Sequence, residues 1–199
     1  MTMKKSQEKF LVGIDEVGRG PLAGPVAVGV AMGTKSAIKK FRSIKESKQL
    51  SPKLREQWYM KICAPDSGIT FAVVFVSAKH VDKRGINPSI RTALGRGLKK
   101  LNPSPLRSLV LLDGGLRAPD KYENQKTIIR GDTTETIIAI ASVVAKVERD
   151  RRMVVLHKKF PQYGFAAHKG YGTAAHIRAI KKHGCSPEHR LTFLRSILT

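Results

Sequence analysis

The segment ETIIAIASVVAKV, residues 135–147, is apolar on nearly every side when wound as a helix. A surface helix keeps one wet face, so a stretch without one has to be buried. Its continuation, ERDRRMVVLHKK, is mostly polar, and the spacing predicts one long helix over residues 133–159. Short runs rich in β-branched and aromatic residues predict strands at 10–15, 26–32 (VAVGVAM), 69–77 (ITFAVVFVS) and 108–113 (SLVLLD), with another short apolar segment at 126–132 (KTIIRGD). Ser51-Pro52 is a helix start before KLREQWYMKI. Residues 88–101 form a helix with Leu94, Leu98 and Leu101 on one face, ended by Asn102, Pro103 and Pro105. A last short helix falls near 190–198. This order predicts a single α/β domain over 1–199, with a central mixed sheet flanked by helices and a helical C-terminal part from about residue 160.

The chain carries 37 basic and 15 acidic residues, a formal net charge of +22 spread along its length. Such a surplus attracts polyanions, and nucleic acid is the first candidate partner. No apolar run approaches the roughly 20 residues that a bilayer requires. The N-terminal MTMKKSQEK is basic and polar with no signal-peptide hydrophobic region after it, so the expected location is the cytoplasm. Cys63 and Cys185, with no CxxC spacing, argue against a disulfide framework or a cysteine zinc site.

Acids stand at the edges of the apolar elements. Asp15 and Glu16 end the first strand, Asp113 ends SLVLL, and Asp132 precedes the buried helix. Strand ends are where α/β proteins commonly place their chemistry. Converging carboxylates repel one another unless a cation sits between them, and hard Mg²⁺ or Mn²⁺ prefers such oxygen ligands. Two such ions about 3.5–4 Å apart suit phosphodiester cleavage. Each acid also has a plainer role open to it. Asp132-Thr133-Thr134-Glu135 has the spacing of a capping box, with Asp132 as the N-cap. Asp113 before two glycines could be a turn acid. The adjacent Asp15 and Glu16 are harder to explain, because an unpaired pair is expensive to bury.

Gly18, Arg19 and Gly20 follow the paired acids. The spacing Gly18-x-Gly20-x-x-x-Gly24 approaches a dinucleotide-binding loop, but that loop should open a helix, and here prolines and a strand-like segment follow. Glycines also let a sugar or phosphate touch the main chain, where backbone groups can sense a ribose 2′-OH. Arg19 between them could hold a phosphate. Asp82, Glu56 and Glu148 look like ordinary solvated or ion-paired charges. The six histidines offer no convincing site, and His176 and His183 are expected as solvated residues on a shared helix face.

The stretch GIDEVGRGPLAGP strongly resembles the signature of type 2 ribonuclease H, or ribonuclease HII. ESKQLS, LLDGG, IRGD, IAIASVVAKVERDRRM, FPQYGFAAHKGYGTAAH and HRLTF resemble further blocks of that family in the same order, over roughly residues 10–195. The resemblance implies an RNase H-like fold and metal-dependent endonucleolytic cleavage. Its substrates would be RNA/DNA hybrids and duplex DNA holding single ribonucleotides, cut on the 5′ side of the ribonucleotide to leave 5′-phosphate and 3′-hydroxyl ends. It implies Asp15, Glu16, Asp113 and Asp132 as catalytic, metal-holding acids, with Mn²⁺ or Mg²⁺ as the cofactor. Gly18, Arg19 and Gly20 match the element that contacts the RNA–DNA junction. Tyr171 matches the tyrosine that packs on the deoxyribose after the ribonucleotide. Ser47, Lys48 and Lys169 match polar positions near the nucleic-acid backbone. Glu46 departs from the pattern, which more often has Asp there. The expected state is a monomer, without a substantial N-terminal substrate-binding domain and with no clear sliding-clamp peptide in RLTFLRSILT. The alternative is a non-catalytic basic nucleic-acid binder, which accounts for the charge but not for the acids.

Overall fold

A computed structural model describes residues 9–198. The basic stretch over residues 1–8 and the end of the C-terminal segment, residue 199, lie outside the described residues. In chain order the elements are β1 (Phe10–Val17), β2 (Val26–Thr34), α1 (Lys35–Lys39), α2 (Pro52–Cys63), β3 (Ile69–Val76), α3 (Ala78–Arg84), α4 (Ile86–Leu101), β4 (Ser108–Asp113), β5 (Gln125–Ile128), α5 (Gly131–Thr134), α6 (Thr136–Lys159), α7 (Phe165–His168), α8 (Ala174–His183) and α9 (Arg195–Leu198). Short 3₁₀ turns stand at Pro161–Tyr163 and Leu191–Phe193.

The strands form one sheet in the order β3-β2-β1-β4-β5. β1, β2 and β3 pair antiparallel, while β4 joins β1 and β5 joins β4 in parallel. The sheet is therefore mixed, as the element order predicts. Side chains alternate between its faces. On one face Val12, Ile14, Val28, Val30, Val110 and Leu112 pack with Ile90, Leu94 and Leu98 of α4. On the other, α6 crosses β1 and β2, and α1 and α2 cover its outer side together with Phe41, Ile44 and Leu50. Ile137 to Ala145 are all buried, which is why that stretch has no polar face. Two sheet glycines permit the close crossing. A Cβ at Gly13 would lie 2.3 Å from the Ile137 carbonyl oxygen, and one at Gly29 would lie 2.3 Å from that of Ala141.

The long helix begins later than the spacing predicts. A single turn, α5, precedes a break at Glu135, which is extended (φ −115°, ψ 110°). Asp132 therefore lies inside α5 and makes no capping hydrogen bond to either helix, so the predicted capping box does not form. The kink turns the Asp132 side chain toward the end of β4. β5 also ends early, at Ile128, with Arg130 in the left-handed region at φ 55°. The expected cap at Ser51 is present, with its side chain accepting the Leu54 N–H at 3.3 Å.

The C-terminal segments form a smaller cluster around Met153, Leu156, Tyr163, Phe165 and Ile180. This cluster clamps the loop between β1 and β2. Leu22 N donates to Gly170 O at 2.8 Å, Gly24 N to Glu188 O at 2.8 Å, and Arg190 N to Leu22 O at 2.7 Å.

Candidate active site

The parallel register of β1 and β4 pairs Gly13 with Leu111 and Ile14 with Leu112. The next residues along are Asp15 and Asp113. Both share the parity of Gly13 and Leu111, so both carboxyls project on the α6 face of the sheet, where α5 brings Asp132. One oxygen from each of Asp15, Asp113 and Asp132 lies within 4.8 Å of the other two. Glu16 has the opposite parity. It lines the same cleft, but Arg19 Nη1 donates to its Oε1 at 3.1 Å.

The cluster is electrostatically crowded. Burial pushes the Asp15 carboxyl up to about 8; a Ser142 hydrogen bond opposes this, and the charges of Glu16 and Asp113 add to it. Burial also raises Glu16, with Arg19 pulling it back. Asp132 rises to about 6, first through burial and then through a carboxyl contact with Glu46, while Lys48 pulls it down. These groups need protons or a cation to coexist. Their donors are all hard oxygens on a half-open cleft, a set that fits Mg²⁺ or Mn²⁺ and is poorly suited to softer metals.

Gly18, Arg19, Gly20 and Tyr171 line the same cleft. Gly18 has φ 90° and its Cα abuts Arg149, whereas a Cβ at Gly20 would meet nothing within 4 Å. Tyr171 is 44% exposed at the cleft's edge. Arg19 is steered from outside by Asn87, whose Oδ1 accepts from Nη2 at 2.7 Å. Ser47 is buried behind the acids, bonded to the Ser142 hydroxyl at 2.9 Å, and Lys48 is exposed at the rim. Lys169 is not among the residues lining this cleft. Its ammonium donates to the Ala166 carbonyl and its own carbonyl accepts from Arg149 at 3.1 Å.

Several residues escaped the reading of the sequence. Ser142 and Lys146 reach the cleft from α6, one turn apart, as a polar stripe on its otherwise apolar first half; that stripe was the available signal. Lys146 is paired with Asp150 at 2.7 Å. Arg149 and Arg190 are fully buried with no carboxylate paired to them among the described residues. Arg149 donates to the carbonyls of Pro25, Lys169 and Ala23, and Arg190 to those of Gly24 and Arg19. They brace the Gly18–Gly20 loop from behind. His176 is fully buried, so its expected solvation is incorrect; the α8 face that carries it packs on Phe165 and His189.

The family model described as Ribonuclease HII matches residues 12–196. The chain belongs to the ribonuclease HII family. Ribonuclease HII of Caldicellulosiruptor bescii is 41% identical over 192 residues, covering 96% of this chain and 89% of that one. That of Endomicrobium trichonymphae is 42% identical over 183 residues, covering 92% and 84%. The crystal structure of ribonuclease H2 from Pyrococcus horikoshii OT3 superposes with a TM-score of 0.76 at 26% identity, covering 94% and 96%. The α/β architecture is thus that of the ribonuclease H class, and the acid cluster occupies its cleft.

Proposed function

We propose that this chain is a divalent-metal-dependent endonuclease that cuts the RNA strand of RNA/DNA hybrids. It also cuts on the 5′ side of single ribonucleotides embedded in duplex DNA. The products carry 5′-phosphate and 3′-hydroxyl ends, which suits removal of stray ribonucleotides and processing of primers. The observation that carries this reading is the convergence of Asp15, Asp113 and Asp132 in a cleft that also holds the Gly18–Gly20 loop and Tyr171.

Asp15, Asp113 and Asp132, with Glu16 beside them, would hold Mg²⁺ or Mn²⁺. When bound, such ions supply an activated water and neutralise charge developing on the phosphate. The remaining work belongs to the chain. Its positive field gathers the polyanion. The open backbone at Gly20 lets a ribose approach closely enough for its 2′-OH to meet main-chain groups. Arg19, held between Glu16 and Asn87, keeps the loop against the acids. Tyr171 presents an exposed ring to the following sugar, on which a ring without a 2′-OH can pack. Every one of these groups comes from a single chain, so a monomer suffices.

The test is cleavage of a labelled DNA duplex holding one ribonucleotide, with Mg²⁺ or Mn²⁺, with EDTA, and beside an all-DNA control. A metal-dependent cut on the 5′ side of the ribonucleotide is expected. A folded protein that binds the duplex and cuts nothing in either metal would instead be a basic nucleic-acid binder.

A further inference from the structure

Behind the cleft lies a chain of buried histidines whose protons can be assigned from their partners. Ser186 N–H donates to Nδ1 of His189 at 2.8 Å, so that nitrogen carries no proton and the neutral ring holds its proton on Nε2. Nε2 of His189 lies 3.1 Å from Nε2 of His176. Only one of the two can donate, and His189 has the proton there. His176 must then carry its proton on Nδ1, which lies 2.9 Å from the Tyr171 carbonyl, a group that only accepts. Each link demands the next. The hydrogen bonds run in one direction, from Ser186 through His189 and His176 to Tyr171.

The neighbouring ring agrees. Gly170 N–H donates to Nδ1 of His168 at 3.2 Å, so the Nε2 proton of His168 goes to the Tyr163 carbonyl at 2.7 Å. His168 stacks on His176 with centroids 4.3 Å apart. Histidines thus grip the loop at successive residues, 170 and 171. From the other side the Gly170 carbonyl accepts Leu22 N–H at 2.8 Å, in the loop that carries Gly18–Gly20, and His189 forms an isolated bridge with Ala23. Packing alone does not call for this arrangement. His176 and His189 are 0% and 2% exposed among Tyr163 and Phe165, where apolar side chains would fill the space without polar atoms to satisfy.

We propose that His176 and His189 are positioning residues for Tyr171, fixing the tyrosine at the cleft edge in register with the Gly18–Gly20 loop through this one-way chain of hydrogen bonds. The proposal rests on the reading of Tyr171 as the group that meets the sugar after the ribonucleotide. It concerns selectivity: the histidines touch no substrate and act only through the placement of the tyrosine.

One arm of the test needs no activity. ¹⁵N NMR of the full chain at neutral pH should show His189 neutral with its proton on Nε2, His176 neutral with its proton on Nδ1, and His168 carrying a proton on Nε2. The opposite tautomer at His176 or His189 overturns the chain. The second arm compares His176→Asn, whose amide can still donate near the Nδ1 position, with His176→Gln, whose amide reaches the Nε2 position instead. Cleavage of the single-ribonucleotide duplex should fall about five- to tenfold in His176→Gln, the loss of roughly one hydrogen bond's positioning, and far less in His176→Asn. Cleavage of a continuous hybrid, where the next sugar is a ribose, should change little in either. Adding Tyr171→Ala to His176→Gln should cost no more than Tyr171→Ala alone. Equal losses on both substrates, equal losses in the two variants, or additive losses with Tyr171→Ala would reduce the histidines to core packing. If the wild-type chain cuts no ribonucleotide-containing substrate, the cleavage reading fails and the positioning role falls with it, even where the tautomers are as drawn.

Discussion

Oδ1 of Asp113 accepts the Gly131 N–H at 2.7 Å. The third acid of the cleft thus anchors the first residue of α5, the turn that carries the fourth, Asp132. Asp113→Asn keeps an oxygen that can accept this hydrogen bond while removing the charge. The variant should therefore fold with an unchanged melting temperature or a slightly higher one, since it relieves repulsion within the cluster. Its turnover should drop at least about a hundredfold while duplex affinity stays within about threefold, because the charge matters chiefly in the transition state. Turnover and binding measured on the same preparation check this, and normal turnover would remove Asp113 from the catalytic group.

Gly18 and Gly20 should part company on substitution. Gly18 has φ 90°, and a Cβ there would lie 2.3 Å from Nε of the buried Arg149. Gly18→Ala should cost about 2 kcal/mol of stability through strain and a displaced arginine. At Gly20 the methyl would meet nothing of the protein within 4 Å, so Gly20→Ala should melt with the wild type. Its cleavage should nevertheless fall, because the methyl occupies the space a sugar needs. Thermal unfolding and cleavage rate together separate the two effects; a fully active Gly20→Ala would mean that no sugar comes close there.

Crowded carboxylates also predict a stability response to metal. Mn²⁺ at about 100 times its Kd should stabilise the fold by about 2.7 kcal/mol, a rise in Tm of roughly 5–10 °C for a chain of this size. EDTA should reverse it, and a double Asp113→Asn, Asp132→Asn variant should lose most of it. Calorimetry with and without the ion decides; an equal shift in the double variant would place the binding elsewhere.

The sequence carries the architecture well because burial patterns are local. The strand at 108–113 follows from its short apolar run and the face of α4 from helical spacing, and α6 follows from its lack of a wet side. The acids are legible as candidates because charges at the ends of apolar strands have few other uses. What was not legible depends on contacts between distant segments. The Asp132 spacing fits a cap, and only the break at Glu135 and the Asp113–Gly131 bond show why it is not one. His176 looks like a surface residue on a basic helix until its partner His189, 13 residues on, is folded against it. Arg149 and Arg190 read as part of the general positive charge, yet most of their donors end on main-chain carbonyls more than 120 residues away in sequence.

Arg190 should tolerate no exchange for lysine. Nε and Nη2 donate to the Gly24 carbonyl at 3.0 and 2.9 Å, and Nη1 donates to the Arg19 carbonyl at 3.0 Å. A lysine ammonium is a single point and cannot span both carbonyls, so Arg190→Lys would leave at least one buried acceptor unmet. A loss of about 2–3 kcal/mol in stability is expected. Cleavage should fall further than stability alone explains, because Arg19 loses its anchor. Denaturant unfolding and cleavage below the unfolding range check the two parts, and a Lys variant with wild-type values in both would show that the guanidinium fork is dispensable.

His189 gives a dependence of stability on pH whose sign follows from its surroundings. Burial, and then the charge of His176, push it down to about 4 from an ordinary value of 6.5. The groups facing it among the described residues are His168, His176, Tyr163, Phe165 and Ser186, none of them acidic, so an imidazolium there finds no counter-charge from them. Between pH 6.5 and 4 the unfolded chain binds a proton that the folded chain refuses. The contribution is complete above 6.5 and is lost as pH falls toward 4, by roughly 3 kcal/mol in all. Asp15 and Asp132, raised to about 8 and about 6, take up protons in the folded state and push the other way as pH falls. The histidine's share is therefore the difference between wild type and His189→Gln. Urea unfolding at pH 7, 6 and 5 should show the wild type losing stability relative to the variant at each step, and parallel profiles would mean that His189 accepts its proton in the folded chain.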